Sequence, residues 1–166
     1  MKKFELTSEF VTFLGKKLFR IKALISFGNV KEGELGGFVE KEENLSNDGN
    51  AWVSDNARVS DNARVSGNAR VSGNAWVSDN AWVYGDADYA TVQGFGSEYR
   101  TTTFFRTKAG DIGVRCGCFY GTLEEFRAKV KETHGETKIA KEYLMVADLM
   151  EFRFSKGGSI DEKMGI

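Results

Sequence analysis

Between Asn50 and Gly85 the chain repeats itself every six residues, as NAWVSD, NARVSD, NARVSG, NARVSG, NAWVSD and NAWVYG. Units this short can bury an apolar face only by stacking on their neighbours, which is the condition of a solenoid. Inside the hexads Ala51, Ala57, Ala63, Ala69, Ala75 and Ala81 stand two residues before Val53, Val59, Val65, Val71, Val77 and Val83. Residues two apart on extended backbone share a face, so each triplet reads as a short strand with two inward side chains and one outward. The Ser-Asp-Asn or Ser-Gly-Asn between triplets is turn chemistry, because Asn, Asp and Gly tolerate the backbone of a corner. Strand and corner in alternation predict a parallel β-helix of triangular section. Three hexads then make one turn, and positions three hexads apart stack on one face.

The outward residues are Trp52, Arg58, Arg64, Arg70, Trp76 and Trp82. The three-hexad register sets Trp52 against Arg70, Arg58 against Trp76 and Arg64 against Trp82, with strands about 4.8 Å apart. That spacing suits cation–π pairs, so each face is expected to carry one. Three tryptophans open to water would be unusual. Either the end segments or sister chains cover them, or the Arg–Trp ladders bind a planar anion. Guanidinium forks grip phosphate and indoles stack on nucleobases. With Tyr84 these six are the candidate ligand-binding residues.

A branched aliphatic followed four positions later by a small residue, repeated by six, resembles the hexapeptide-repeat left-handed β-helix family. Many members are trimeric acyltransferases or carbonic-anhydrase-like enzymes, so the resemblance implies left-handed winding and a homotrimer. It also sets a test for catalysis. Carbonic-anhydrase-like members hold zinc with three histidines, and acyltransferases use a histidine as general base. This chain has one histidine, His134, beside a glycine at an expected helix end and outside the repeats. No loop interrupts the hexads to build an active site. Catalysis is disfavoured, and neither metal nor cofactor is expected. Cys116 and Cys118, one residue apart, would share a strand face, but no second pair completes a tetrahedral zinc site. The Asp-Asn corners lack the nonapeptide signature of calcium-binding β-helices.

The expected architecture is mainly β: a left-handed β-helix over residues 44–92, an N-terminal β-hairpin cap over 1–43 and a C-terminal ββαα domain over 93–166. The hairpin joins EFVTF to KLFRIKALISF through a turn at Leu14-Gly15-Lys16. In its second strand Phe19, Ile21, Ala23 and Ile25 form the apolar face, and Leu18, Arg20, Lys22 and Leu24 the mixed one. Projecting the hexads backwards places Leu35, Val39 and Leu45 inward; forwards, Ala87 and Tyr89 keep phase and Gln93 breaks it. RTTTFFRT and GVRCGCFY read as strands. Thr122-Leu-Glu-Glu125 is a capping box that opens one helix, and Thr137 starts another with Ile139, Tyr143, Val146, Leu149 and Met150 on one stripe. The tail SKGGSIDEKMGI is expected to fray.

A formal net charge of −1 implies no general affinity for nucleic-acid polymers. No run of apolar residues is long enough to offer a membrane span. The start MKKFELTSEF acquires acidic residues before any apolar stretch, unlike a signal peptide. Two cysteines without a disulfide framework suit a reducing cytoplasm. Taken whole, the KLFRIKAL hairpin, the Glu34-Leu-Gly-Gly-Phe38 turn, the NARVSGNA repeats and the GCFYGTLEEF–KETHG tail resemble small proteins of gut bacteria and their phages. Some small oligomeric phage proteins sequester nucleotide immune signals of the host. The expected function is therefore non-catalytic sequestration of a phosphate-bearing nucleotide, or a similar small molecule, by a homo-oligomer. A scaffolding oligomer without a ligand is the alternative, and an acyltransferase stands third.

Overall fold

A computed structural model describes residues 2–155; the tail expected to fray, apart from its first residue Ser155, lies outside the described residues. Six two-residue strands occupy the repeats: β4 (Trp52–Val53), β5 (Arg58–Val59), β6 (Arg64–Val65), β7 (Arg70–Val71), β8 (Trp76–Val77) and β9 (Trp82–Val83). Each pairs in parallel with the strand three hexads away, Val53 on Val71, Val59 on Val77 and Val65 on Val83. Backbone hydrogen bonds of about 3 Å tie the rungs, as from Trp52 N to Ala69 O and from Arg58 N to Ala75 O. All the repeat alanines and valines are buried. The alanine keeps the bore narrow enough for the valines above and below to close it, as interior packing density requires.

The alternation of Asp and Gly in the hexads has a backbone cause. Asp55, Asp61 and Asp79 have φ of 56°, 59° and 59°, and Gly67 and Gly73, at the same repeat position, have 62° and 66°. A left-handed residue turns every one of these corners, and Gly and Asp are among the few that adopt it cheaply. Where the residue is Asp, its carboxylate also binds the corner stacked on it. Asp55 Oδ2 accepts from Gly73 N (2.9 Å), and Asp61 Oδ2 from Asp79 N (3.2 Å).

The N-terminal segment extends one face of this coil. Strands β1 (Phe4–Phe13) and β2 (Lys16–Ala23) form the hairpin, and β3 (Leu35–Val39) pairs antiparallel with β2 and parallel with β5, giving the sheet β1-β2-β3-β5-β8. Leu14 (φ 50°) and Gly15 (φ 78°) make the two-residue loop, whose paired positive φ values match strand twist. Leu18, expected on the mixed face, is fully buried, as are Ile21 and Ala23 of the apolar face. Register breaks between Leu6 and Phe10 and between Arg20 and Lys22 shift the alternation, as bulges do.

Val39 and Leu45 are buried as expected, but Leu35 is 54% exposed. Val39 pairs with Val59 and Leu45 with Val65, in each case two positions beyond the three-hexad spacing. The excess falls in the segment Ser46–Asn50, so the hexad phase cannot be projected back through it. Gly37 takes the alanine slot of this first rung: a Cβ there would sit 2.6 Å from Ala57 O. Asn44 supports the next corner, its amide donating to Ala63 O (2.9 Å) and Asp61 O (3.2 Å). Lys3 is buried at this end and donates to Ala51 O (2.7 Å) and Gly49 O (3.4 Å).

At the other end, Ala87 is exposed and Tyr89 half-buried. β10 (Tyr89–Val92) does not continue the coil. It leads the antiparallel sheet β10-β11-β12-β13, with β11 Thr102–Arg106, β12 Ile112–Cys116 and β13 Phe119–Thr122. The coil's last rung is therefore β9, and the expected two strands of the C-terminal unit are four. This sheet lies between two cores. Phe105 packs into the coil's cluster, whereas Phe104 and Val114 pack with helices α1 (Leu123–His134) and α2 (Lys138–Arg153). Thr122 and Glu125 exchange the reciprocal bonds of a capping box (2.9 and 3.1 Å), and Thr137 Oγ1 caps α2. Leu149 is exposed; the buried stripe of α2 runs through Ala140, Tyr143, Val146, Ala147 and Met150. Cys116 ends β12 and Cys118 is exposed in the turn after Gly117 (φ 59°), so the two thiols do not share a strand face. No described helix is long and apolar enough to cross a membrane.

Two outcomes follow. Ala69→Leu should overpack the bore and lower stability by about 1–3 kcal/mol, read as a shifted urea midpoint at unchanged m-value. Burial pushes the Lys3 ammonium down from 10.5 to about 8, with Asp48 opposing the shift. Between those values the unfolded chain holds the proton more tightly, so the Lys3 contribution to stability should rise as pH climbs through that window. The Lys3→Met variant should lack this rise when melting temperatures are compared across the same pH range.

Candidate functional site

The three stacks of rungs present three faces, and the flanking segments treat each differently. On the first, Trp52 is 1% exposed, covered by an edge-on contact with Phe27 (centroids 5.3 Å apart). Gly36 lets it in, since a Cβ there would lie 2.7 Å from Trp52 Cζ2. Arg70, half-buried, has its backbone taken: its N–H donates to Asp86 Oδ1 (2.8 Å), and Tyr89 Oη donates to its carbonyl (2.6 Å). This face is closed.

On the second face Trp76 is 6% exposed. Its Nε1 donates to Ser60 Oγ (2.8 Å), and its backbone N–H donates to Thr103 Oγ1 of β11 (3.0 Å). Phe13 of the hairpin meets its edge, and the Arg115 guanidinium of β12 lies 3.7 Å from its ring centre. Arg58 stacks on Phe13 instead, at 4.6 Å. No ring face of Trp76 on that side is left for a ligand.

The third face is open. Trp82 is 46% and Tyr84 72% exposed, two residues apart, and Arg64 on the preceding rung is exposed beside them. Arg64, Trp82 and Tyr84 line a groove of about 580 Å³ together with Glu42, Glu43 and Asn47. On the other side of the Arg64–Trp82 ridge a second groove of about 410 Å³ is lined by Lys41, Asn62, Asn80 and Lys108. The Lys108 ammonium stands 5.4 Å from the Trp82 ring centre. Lys41 Nζ donates to Asn62 Oδ1 (3.1 Å), and the Glu42 carboxylate is paired with Lys2 (2.6 Å), which raises the Lys2 pKa. The ridge thus offers an indole, a phenol and a guanidinium; two ammonium groups stand on one flank, Glu42 on the other, and Glu43 borders both grooves.

Backbone register sets Trp52 on Arg70, Arg58 on Trp76 and Arg64 on Trp82, as the three-hexad spacing predicts. The expected cation–π pairs between them are replaced: Trp76 takes Arg115, Trp82 takes Lys108, Arg58 takes Phe13, and Trp52 takes an aromatic, Phe27. Stacked rungs project their side chains in parallel, whereas residues arriving from flanking elements meet the ring faces directly. Of the seven candidate residues the structure brings Arg64, Trp82 and Tyr84 together in the open, and places Trp52, Arg58, Arg70 and Trp76 under cover or beneath partners. Sequence reasoning misses Lys41, Lys108 and Arg115. Nothing in the repeat points to them, because each reaches the coil from a segment outside it; Lys108 is held there by its N–H to Asn80 O (2.8 Å).

His134 occupies the last turn of α1, its ring tilted against Tyr143 at 6.2 Å, and lines neither groove of the third face. Burial pushes the Tyr143 phenol up to about 12, so it stands as a neutral donor to Phe95 O (3.2 Å).

The family described as YdcK Beta solenoid repeat matches residues 51–67 and 63–79. The match falls on the rungs themselves and agrees with a β-solenoid repeat there; it does not reach Trp82 or Tyr84. No curated protein matches the chain.

Since Trp52 and Trp76 are buried, Trp82 should carry nearly all the emission that acrylamide can quench. Trp82→Phe should remove that component and Trp76→Phe should leave it. A quenchable component surviving in Trp82→Phe would contradict the exposure of the third face.

Proposed function

We propose that this is a non-catalytic binding protein that sequesters a phosphate-bearing nucleotide, or a similar planar anion, on the third face of its coil. Support comes from one juxtaposition: the exposed Trp82 and Tyr84 rings beside Arg64, with Lys41 and Lys108 within the same pair of grooves. Stacking on an aromatic face tolerates any base and contributes about 1–3 kcal/mol per base. Guanidinium and ammonium groups then hold the phosphate, the guanidinium through its planar fork. The same proposal includes left-handed winding and a homotrimer, both drawn from the resemblance to the hexapeptide-repeat family. Its setting is the cytoplasm of a bacterial host, by analogy with small oligomeric phage proteins that sequester nucleotide signals there.

A second reading rests on the same exposure. Trp82 and Tyr84 would serve equally as anchors between copies of the chain, since aromatic and Arg residues concentrate in interfaces. The readings part on Arg64. For a ligand site, Arg64→Ala should weaken nucleotide binding by about 1.5–3 kcal/mol, the range for charge-assisted hydrogen bonds, with poor rescue by Lys and an unchanged oligomer. Titrating Trp82 fluorescence with mononucleotides and cyclic dinucleotides, beside light scattering, reads both quantities. A scaffold predicts no response to any nucleotide and assemblies that come apart in Arg64→Ala or Trp82→Ala.

A further inference from the structure

The second face of the coil, closed to a nucleobase, holds a cleft of about 270 Å³ where three segments distant in sequence meet. Arg58 and Asn74 come from the coil with Asn56, Arg115 from β12, and Arg100 and Thr101 from the approach to β11. Three arginines thus line one small space, and no carboxylate-bearing residue among the described residues lines it. Asp79, which does not line the cleft, forms a long ion pair with Arg115 Nη1 at 3.9 Å, beyond hydrogen-bond reach, and partly offsets its burial.

Two of these guanidiniums are already oriented. Arg115 lies 3.7 Å from the Trp76 ring centre and Arg58 4.6 Å from that of Phe13. Stacking occupies a guanidinium's flat face and leaves its N–H edges for acceptors. Arg115 is 8% exposed, and its buried Nε has no hydrogen-bond partner in the structure. A buried donor of a charged group left unsatisfied costs more than an ordinary missing bond. Arg100 completes the cleft from outside. It is exposed and packs against Gly117, where φ is 59° and any side chain would meet its guanidinium. Burial also lowers the Arg115 pKa, an effect an anion beside it would oppose.

We propose that this cleft binds a tetrahedral oxyanion, a phosphate or the phosphoryl group of a small ester, between Arg58, Arg100 and Arg115. It is separate from the third-face site and independent of it. The cleft lacks a free aromatic face, so it takes the oxyanion without a stacked base. Its walls belong to the hairpin, the coil and the C-terminal sheet, so an occupant joins all three and stabilises the folded chain by mass action.

Phosphate also stabilises folded proteins by general exclusion from their surfaces. The measurement is therefore the difference between variants in thermal unfolding, with inorganic phosphate titrated against chloride at constant ionic strength. Wild type should show a saturable rise in melting temperature that chloride does not produce. Arg100→Gln, a change at the exposed rim, should move the half-saturating phosphate concentration at least 10-fold upward. Arg115→Lys should do the same, keeping the charge but losing the fork. Neither Arg100 nor Arg115 lines a groove of the third face, so their effects separate this cleft from that site. Glycerol 2-phosphate in place of inorganic phosphate distinguishes the sources: an equal response supports a site open to esters, and no response supports one confined to the free ion. Equal dose–response curves for wild type, Arg100→Gln and Arg115→Lys, or equal melting temperatures in phosphate and chloride, would overturn the proposal.

Discussion

Everything in this molecule depends on the hydrogen-bonded register between rungs three hexads apart. Each repeat strand is two residues long, far too short to persist by itself. Its backbone pairs with the stacked rung, and its valine packs on the stacked valine within the cluster the alanines share. Such a ladder must end somewhere, and its ends expose unpaired backbone and an open bore. The hairpin continues one stack as extra strands, while Lys3 takes two carbonyls at the mouth. At the far end Thr107 bridges to Ala81, and Phe105 enters the coil's core.

These closures also decide where chemistry is available. The hexads alone make three nearly equivalent faces, each with one Trp and one Arg. The segment around Phe27 covers the first, and the hairpin tip with β11 and β12 roofs the second. The third receives only the loop bearing Lys108 and the segment 41–47, which leave Trp82 and Tyr84 exposed. Binding capacity is thus allotted by what the caps leave bare.

The coil is legible in the sequence because its signals are local and repeated. The alanine–valine spacing marks the inward positions, and Asp or Gly at the first five corners marks the left-handed backbone. Legibility fails where the repeat meets something non-periodic. The excess in Ser46–Asn50 turns Leu35 outward, a bulge moves Leu18 inward, and Ala87 leaves the coil one rung earlier than its phase implies. The cysteines are misplaced by a strand reading because Gly117 turns the chain between them. For the candidate site, the register of each Trp with its Arg is readable, but which ring stays exposed is not. Arg115, Lys108 and Phe13 are brought to those rings by tertiary contacts that leave no mark on the hexads.

The corner geometry bears on how such a chain can change length. Every hexad carries one strand and one corner, so inserting or deleting a whole hexad keeps the inward and outward positions of the rest in phase. The outward residues downstream, however, would pass from one stack to the next. A gain of one hexad would carry Trp82 and Tyr84 away from the face they share with Arg64, even with each local contact of the bore restored. Only a change of three whole hexads returns them to the same stack. Lengthening in whole turns therefore preserves which surface is open, while fractional turns exchange an open surface for a covered one.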